Sequence, residues 1–114
     1  MAAARDRIII GGVSDGASYA LSLGLFNGDR IRGVIAFSPG YILARQGRGR
    51  PSFFISHGLR DTMLPITQTR SLVAYLRDAG YAVDFREFDG GHEVPSAISD
   101  AAMAWANDIF KKNR

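Results

Sequence analysis

Three short segments of this 114-residue chain hold side chains of the kind that do covalent chemistry. Gly12-Val13-Ser14-Asp15-Gly16 sets a serine between glycines two residues to either side, the spacing a nucleophilic hydroxyl needs on a sharp strand-to-helix turn. Side chains at 12 and 16 would collide as the turn brings the backbones together, and Ala17 and Ser18 keep the approach small. The same turn aims the backbone N–H of Asp15 at the place where an oxyanion would form. In the second segment, His57-Gly58-Leu59-Arg60-Asp61, the aspartate can accept an imidazole N–H and hold one tautomer. The third, Asp89-Gly90-Gly91-His92-Glu93, puts two glycines before a histidine, a backbone loose enough to swing the ring toward a nucleophile.

Taken singly, each segment also has a plain structural reading: a glycine-rich turn, a capping aspartate, a surface-loop histidine. His57, at a strand end upstream of the acid, reads as structural, and Asp84, Asp89 and Glu93 are the rival carboxylates. The joint pattern decides. Ser14, Asp61 and His92 occur in the order serine, acid, histidine, each just past the carboxyl end of its own expected strand, where open α/β sheets place their sites.

Those strands and helices follow from hydrophobic period. Arg7–Gly11, with Ile8-Ile9-Ile10, reads as a strand buried on both faces. A helix over 15–27 carries Ala17, Ala20, Leu21, Gly24 and Leu25 on one face and stops at Asn27-Gly28-Asp29. Arg32–Phe37 and Ser52–Ser56 are two further buried strands. Leu72, Val73, Leu76 and Ala79 mark a helix from Ile66 to Ala79, with Gly80 at its C-terminal cap. Ala82–Phe88 alternates as an edge strand does, and Pro95 opens a last helix striped by Ile98, Ala101, Ala102, Trp105 and Ile109 and closed by Lys111-Lys112. The sum is one α/β domain over 1–114: a mostly parallel sheet of about four strands with flanking helices.

Composition narrows the function classes. With 46% apolar and 22% charged residues the chain can bury a core and is not disordered. It has no cysteine and two histidines, which excludes disulfides, thiolate metal sites, cysteine nucleophiles and histidine-rich metal sites. Twelve of the fourteen basic residues are arginine, and the net charge is +3. The one basic concentration, Arg45-Gln46-Gly47-Arg48-Gly49-Arg50, has no aromatic residue within it for stacking, so it reads as a solvated loop and nucleic acid is not an expected partner. Apolar runs are too short for a membrane span, and the charged start, Met1–Arg7, lacks the apolar stretch of a signal peptide; a cytoplasmic location is expected.

Gly12-Val13-Ser14-Asp15-Gly16-Ala17-Ser18, Ala36-Phe37-Ser38-Pro39-Gly40, His57–Ile66 and Gly90-Gly91-His92 together resemble the phospholipase/carboxylesterase branch of the α/β-hydrolases, over about residues 6–110. The resemblance implies that Ser14 is the nucleophile, His92 the general base and then acid, and Asp61 its orienting carboxylate. It also implies hydrolysis of carboxylic esters, thioesters or lysophospholipids through an acyl-serine without a cofactor. Peptide substrates of the same triad stay open. In that family the serine strand is central, whereas here seven residues precede Ile8. The chain is therefore expected to form a partial α/β-hydrolase fold, the C-terminal half, without the early glycine-rich loop that gives the second oxyanion donor. Its serine strand should then be a bare edge, open to a second copy or to a complementing N-terminal half. Two functions follow: an esterase impaired in oxyanion stabilisation, or a non-catalytic module that associates through that edge.

Overall fold

The computed structural model describes residues 8–42 and 47–112. Four strands, β1 (Ile9–Val13), β2 (Gly33–Phe37), β3 (Ser52–Gly58) and β4 (Val83–Phe88), pair in parallel in the order β1-β2-β3-β4. Three helices, α1 (Asp15–Phe26), α2 (Ile66–Asp78) and α3 (Ser96–Lys112), complete the order expected from the sequence. The crossovers through α1 and α2 step across the sheet in the same direction, and right-handed connections then put both helices on one face. α3 returns along the other. Every chemistry-bearing segment therefore falls at one end of the sheet, beyond the carboxyl ends of the strands.

Packing explains how close the layers lie. Ala17, Ala20, Leu21 and Leu25 of α1 meet Val34, Ala36, Phe53 and Ile55 of the sheet, joined by Val73 and Leu76 of α2. Each fully buried leucine there stabilises by roughly 1.5–3 kcal/mol relative to an exposed one. A Cβ on Gly24 would lie 2.3 Å from Val34 Cγ2, so only glycine lets α1 sit this near β2. On the opposite face the rings of Phe54 and Trp105 stand 5.8 Å apart. α2 ends as its glycine foretells: Gly80 has φ +93, and the N–H groups of Gly80 and Tyr81 donate to Arg77 O and Leu76 O at 3.0 Å each. No helix among the described residues is long and apolar enough to cross a membrane.

The first strand departs from expectation. It runs on to Val13 rather than stopping at Gly11, because its ladder with β2 pairs Ile9 with Gly33 and Val13 with Phe37; Arg7 lies outside the described residues. Ile9 and Ile10 pair in the ladder, and Ile8 O accepts the Arg32 N–H at 2.8 Å. Ile8 is 43% exposed and Ile9 and Ile10 are half-buried, so the strand is not covered on both faces. β3 runs two residues further than Ser56 and takes in His57. Of the arginine-glycine loop, Arg45 and Gln46 lie outside the described residues. Its remainder is exposed but tied down, Arg48 N–H donating to Leu25 O and Arg50 to Ala79 O.

Candidate active site

Ser14 stands between β1 and α1 with φ 58 and ψ −122, a backbone conformation L residues rarely adopt. Its N–H donates to Phe37 O at 2.9 Å, and the Ser18 N–H donates to Ser14 O at 3.1 Å, so the turn is held from both sides. A Cβ on Gly12 would lie 2.4 Å from the backbone carbon of Gly16, which makes glycine obligatory at 12. The matching expectation for Gly16 does not hold: a Cβ there meets nothing among the described residues, because it would project into open space. Gly16 supplies the close backbone, and Gly12 the missing side chain. Asp15 opens α1, so its N–H belongs to the first-turn donors that have no acceptor within the helix.

Asp61 follows β3 in a turn built on its own carboxylate. Oδ1 accepts the N–H groups of Met63 and Leu64 at 2.9 and 2.8 Å, and Oδ2 accepts from His92 Nδ1 at 2.7 Å. Burial alone would push this carboxyl upward. The hydrogen bonds from Leu64, His92 and Met63, with the charge on His92, outweigh it and hold the group below the usual carboxylate value. The rival acids are engaged elsewhere. Asp89 is exposed and bonded to Arg60, Asp84 to Arg86, and Glu93 accepts the Gly91 N–H.

His92 has to reach back toward the serine, because β4 lies three strand spacings from β1, roughly 14–15 Å. A missing side chain lets its loop start that return. A Cβ on Gly58, the last residue of β3, would lie 2.2 Å from Gly91 O. The loop folds over that point and is pinned by Leu59 N–H to Phe88 O and Arg60 N–H to Gly90 O, at 2.9 and 2.8 Å. Neither Gly90 nor Gly91 has a positive φ, and a Cβ on Gly90 would lie 2.7 Å from Glu93 Oε2, the movable end of that side chain, and 2.9 Å from the Phe88 ring. The loop is thus fixed by the two hydrogen bonds and the close approach at Gly58 rather than by glycine looseness. Asp61 and His92 are brought together, while no hydrogen bond joins Ser14 to His92. A serine–histidine contact of this kind is often long before substrate binds.

Three contributors were not singled out for these roles in the sequence. Ser18 Oγ accepts the N–H groups of Gly40 and Tyr41 at 2.8 and 3.1 Å and so pins the loop after β2 to the serine helix. Thr69 and His57 are fully buried and bonded to each other at 2.7 Å. Ser18 and Thr69 are small polar residues on the buried stripes of their helices, and that is the signal that could have marked them. Ser38 follows β2 with φ 53, and its hydroxyl and that of Ser56 are buried with no partner among the described residues. An apolar depression of about 360 Å³ lies beside this loop, between Gly40–Ile42 and Leu72 and Tyr75. The larger groove, about 710 Å³, is lined by Ser52, Val83 and Trp105 at the amino ends of β3 and β4, remote from these groups.

A parallel sheet with serine, acid and histidine beyond its first, third and fourth strands defines an α/β-hydrolase architecture. Residues 2–107 match the Phospholipase/Carboxylesterase family, and the chain belongs to it. It is 34% identical over 120 residues to acyl-protein thioesterase 1 of Neurospora crassa, covering 94% of this chain and 48% of that one. It is 30% identical over 111 residues to MhqD of Bacillus subtilis, named as a hydrolase, covering 93% and 54%. Among solved structures, the esterase PE8 superposes with a TM-score of 0.81 at 26% identity, over 89% of this chain and 49% of PE8. The chain spans about half the length of these relatives.

Proposed function

We propose that this chain carries the serine, acid and histidine of an esterase or thioesterase that works through an acyl-serine. The 2.7 Å bond from His92 Nδ1 to Asp61 Oδ2, at the same end of the sheet as the strained Ser14, carries the reading. With Nδ1–H given to Asp61, the lone pair of Nε2 is left free to take the Ser14 proton as Oγ bonds the acyl carbon. The carbonyl oxygen becomes an oxyanion beside the Asp15 N–H. Collapse of the intermediate breaks the ester or thioester bond, and His92 returns its proton to the departing oxygen or sulfur. Water then repeats the sequence and frees the acid. The thioesterase and esterase names of the relatives support this substrate class.

Among the described residues Asp15 offers the oxyanion donor N–H, and one donor of that kind is worth roughly 10²–10³ in turnover. A second reading, association without catalysis, is favoured by β1, which pairs on one side only among the described residues and to which a second copy or a complementing chain could add a strand. Fluorophosphonate labelling with peptide mapping separates the two. The expected result is one adduct on Ser14, absent in Ser14→Ala and reduced in His92→Ala; folded protein that stays unlabelled rejects the catalytic reading.

A further inference from the structure

His57 has no task in that mechanism, yet it is fully buried and bonded at both ring nitrogens. Its Nε2 lies 2.6 Å from Leu64 O and 3.3 Å from Asp61 Oδ2. A carbonyl oxygen only accepts, so Nε2 must carry a proton, and the shared approach points that proton between Leu64 O and the acid. On the other side Thr69 Oγ1 lies 2.7 Å from Nδ1 and 3.1 Å from Pro39 O. With Nε2–H fixed, the single Thr69 hydrogen goes to Nδ1, and Pro39 O is its longer, competing acceptor.

Two consequences meet at Asp61. The Leu64 backbone is held on both sides, its N–H by Asp61 Oδ1 and its C=O by His57, so the two peptide planes that flank Leu64 in the turn of the acid are both fixed. Asp61 Oδ2 also faces two imidazole N–H groups, His92 at 2.7 Å and His57 at 3.3 Å. Charge drawn toward His57 is withdrawn from His92. The other charged groups packed nearby are accounted for: Glu87, the register neighbour of His57 on β4, is bonded to Arg70 of α2. The β2 side presents the uncharged Ser38.

We propose that His57 is a positioning residue, locked as its Nε2–H tautomer by Thr69 and Leu64, which fixes the Asp61 turn and shares Oδ2 with His92. This extends the serine–histidine–acid unit inward as a buried chain, Thr69–His57–Asp61–His92, and it rests on the proposed roles of Asp61 and His92. The side chain of His57 touches no substrate.

Nitrogen-15 NMR of the imidazoles in the whole chain tests the arrangement without needing turnover. The wild type should show His57 protonated at Nε2. In His57→Gln the His92 Nδ1–H proton should move downfield, as Oδ2 no longer has a second imidazole donor. An Nδ1–H tautomer of His57 in the wild type, or a folded His57→Gln with the His92 Nδ1–H signal unmoved, overturns the proposal. Should His57→Gln fail to fold, Thr69→Val decides: the His57 Nδ1 resonance should shift as it loses its donor while Nε2 stays protonated, and an unchanged spectrum overturns it. A Ser14 that never labels would reject the catalytic reading alone, because the tautomer is read from the ring itself.

Discussion

The two edges of the sheet are built in opposite ways. β4 carries Asp84, Arg86 and Glu87 along its length; Arg86 pairs with Asp84 and lies over the Phe54 ring, and Arg70 of α2 grips Glu87 with two 2.8 Å bonds. Arg77 also covers the Val83 carbonyl at 3.2 Å. Charge on an edge deters the approach of another strand. β1 has no such device among the described residues. Val13 is 49% exposed, and beside the strand Tyr19, Leu23 and Phe26 form an exposed apolar stripe along α1 at helical spacing. The proposed catalytic groups divide along the same line. The acid–base pair near the finished edge is closed, and the serine at the bare edge has not met its histidine. In relatives of twice this length there is further chain to cover such a face.

The largest effect should separate the closed pair from its surroundings. Asp61→Asn leaves the imidazole in the wrong tautomer and should cut any hydrolysis of p-nitrophenyl acetate by on the order of 10⁴. Asp89→Asn, at an exposed aspartate already given to Arg60, should leave the rate nearly unchanged. The reverse ranking would move the acid to Asp89 and dissolve the division between edges.

An intermediate effect is expected at the bare edge. Light scattering over a dilution series should show a concentration-dependent dimer or larger species, shifted toward monomer by the double variant Tyr19→Lys/Phe26→Lys. Arg86→Ala, on the finished edge, should not weaken that association. A wild type that stays monomeric at high concentration would mean that the α1 stripe is no docking face, and the contrast between edges would lose its meaning.

The smallest effect sharpens the electrostatic side. Asp61 is held below its ordinary value of 3.8, so its ionised form is favoured in the folded state. That stabilisation is complete above the unfolded value and is lost as pH falls through the folded one. Urea midpoints should therefore fall more steeply below about pH 4 in the wild type than in Asp61→Asn. Glu87 is lowered as well, by its bond to Arg70, but it is exposed, and solvent screens its contribution. A wild type that gains relative stability in acid would contradict the assignment.

What could be read from the sequence was local. Turn chemistry at Gly12–Gly16 and Gly90–His92 marked strand ends and Gly80 a helix end, and hydrophobic period gave the alternation of strands and helices, because both depend on neighbours a few residues away. Register was not legible in that way. The isoleucine run ended β1 two residues too soon, at Gly11, since pairing with β2, not side-chain type, carries that strand on to Val13. His57 was legible as structural, but its place in a chain with Thr69 and Asp61 depends on α2 docking over β3, a contact between segments that no short window contains. Gly58 was similarly mute: its missing side chain matters only because a loop more than thirty residues later must pass across it.

The conformation of Ser14 has a consequence for what drift would do at this position. Its φ of 58 with ψ −122 suits glycine, and a residue with a Cβ held in so sparsely populated a region costs of order 1–3 kcal/mol. Nothing in the packing asks for that cost; Gly12 and the bonds to Phe37 and Ser18 would hold a glycine at 14 equally well. Stability alone therefore slopes from serine toward glycine. The hydroxyl is the one feature of residue 14 that glycine could not supply, and a chain free of any demand for it would descend that slope.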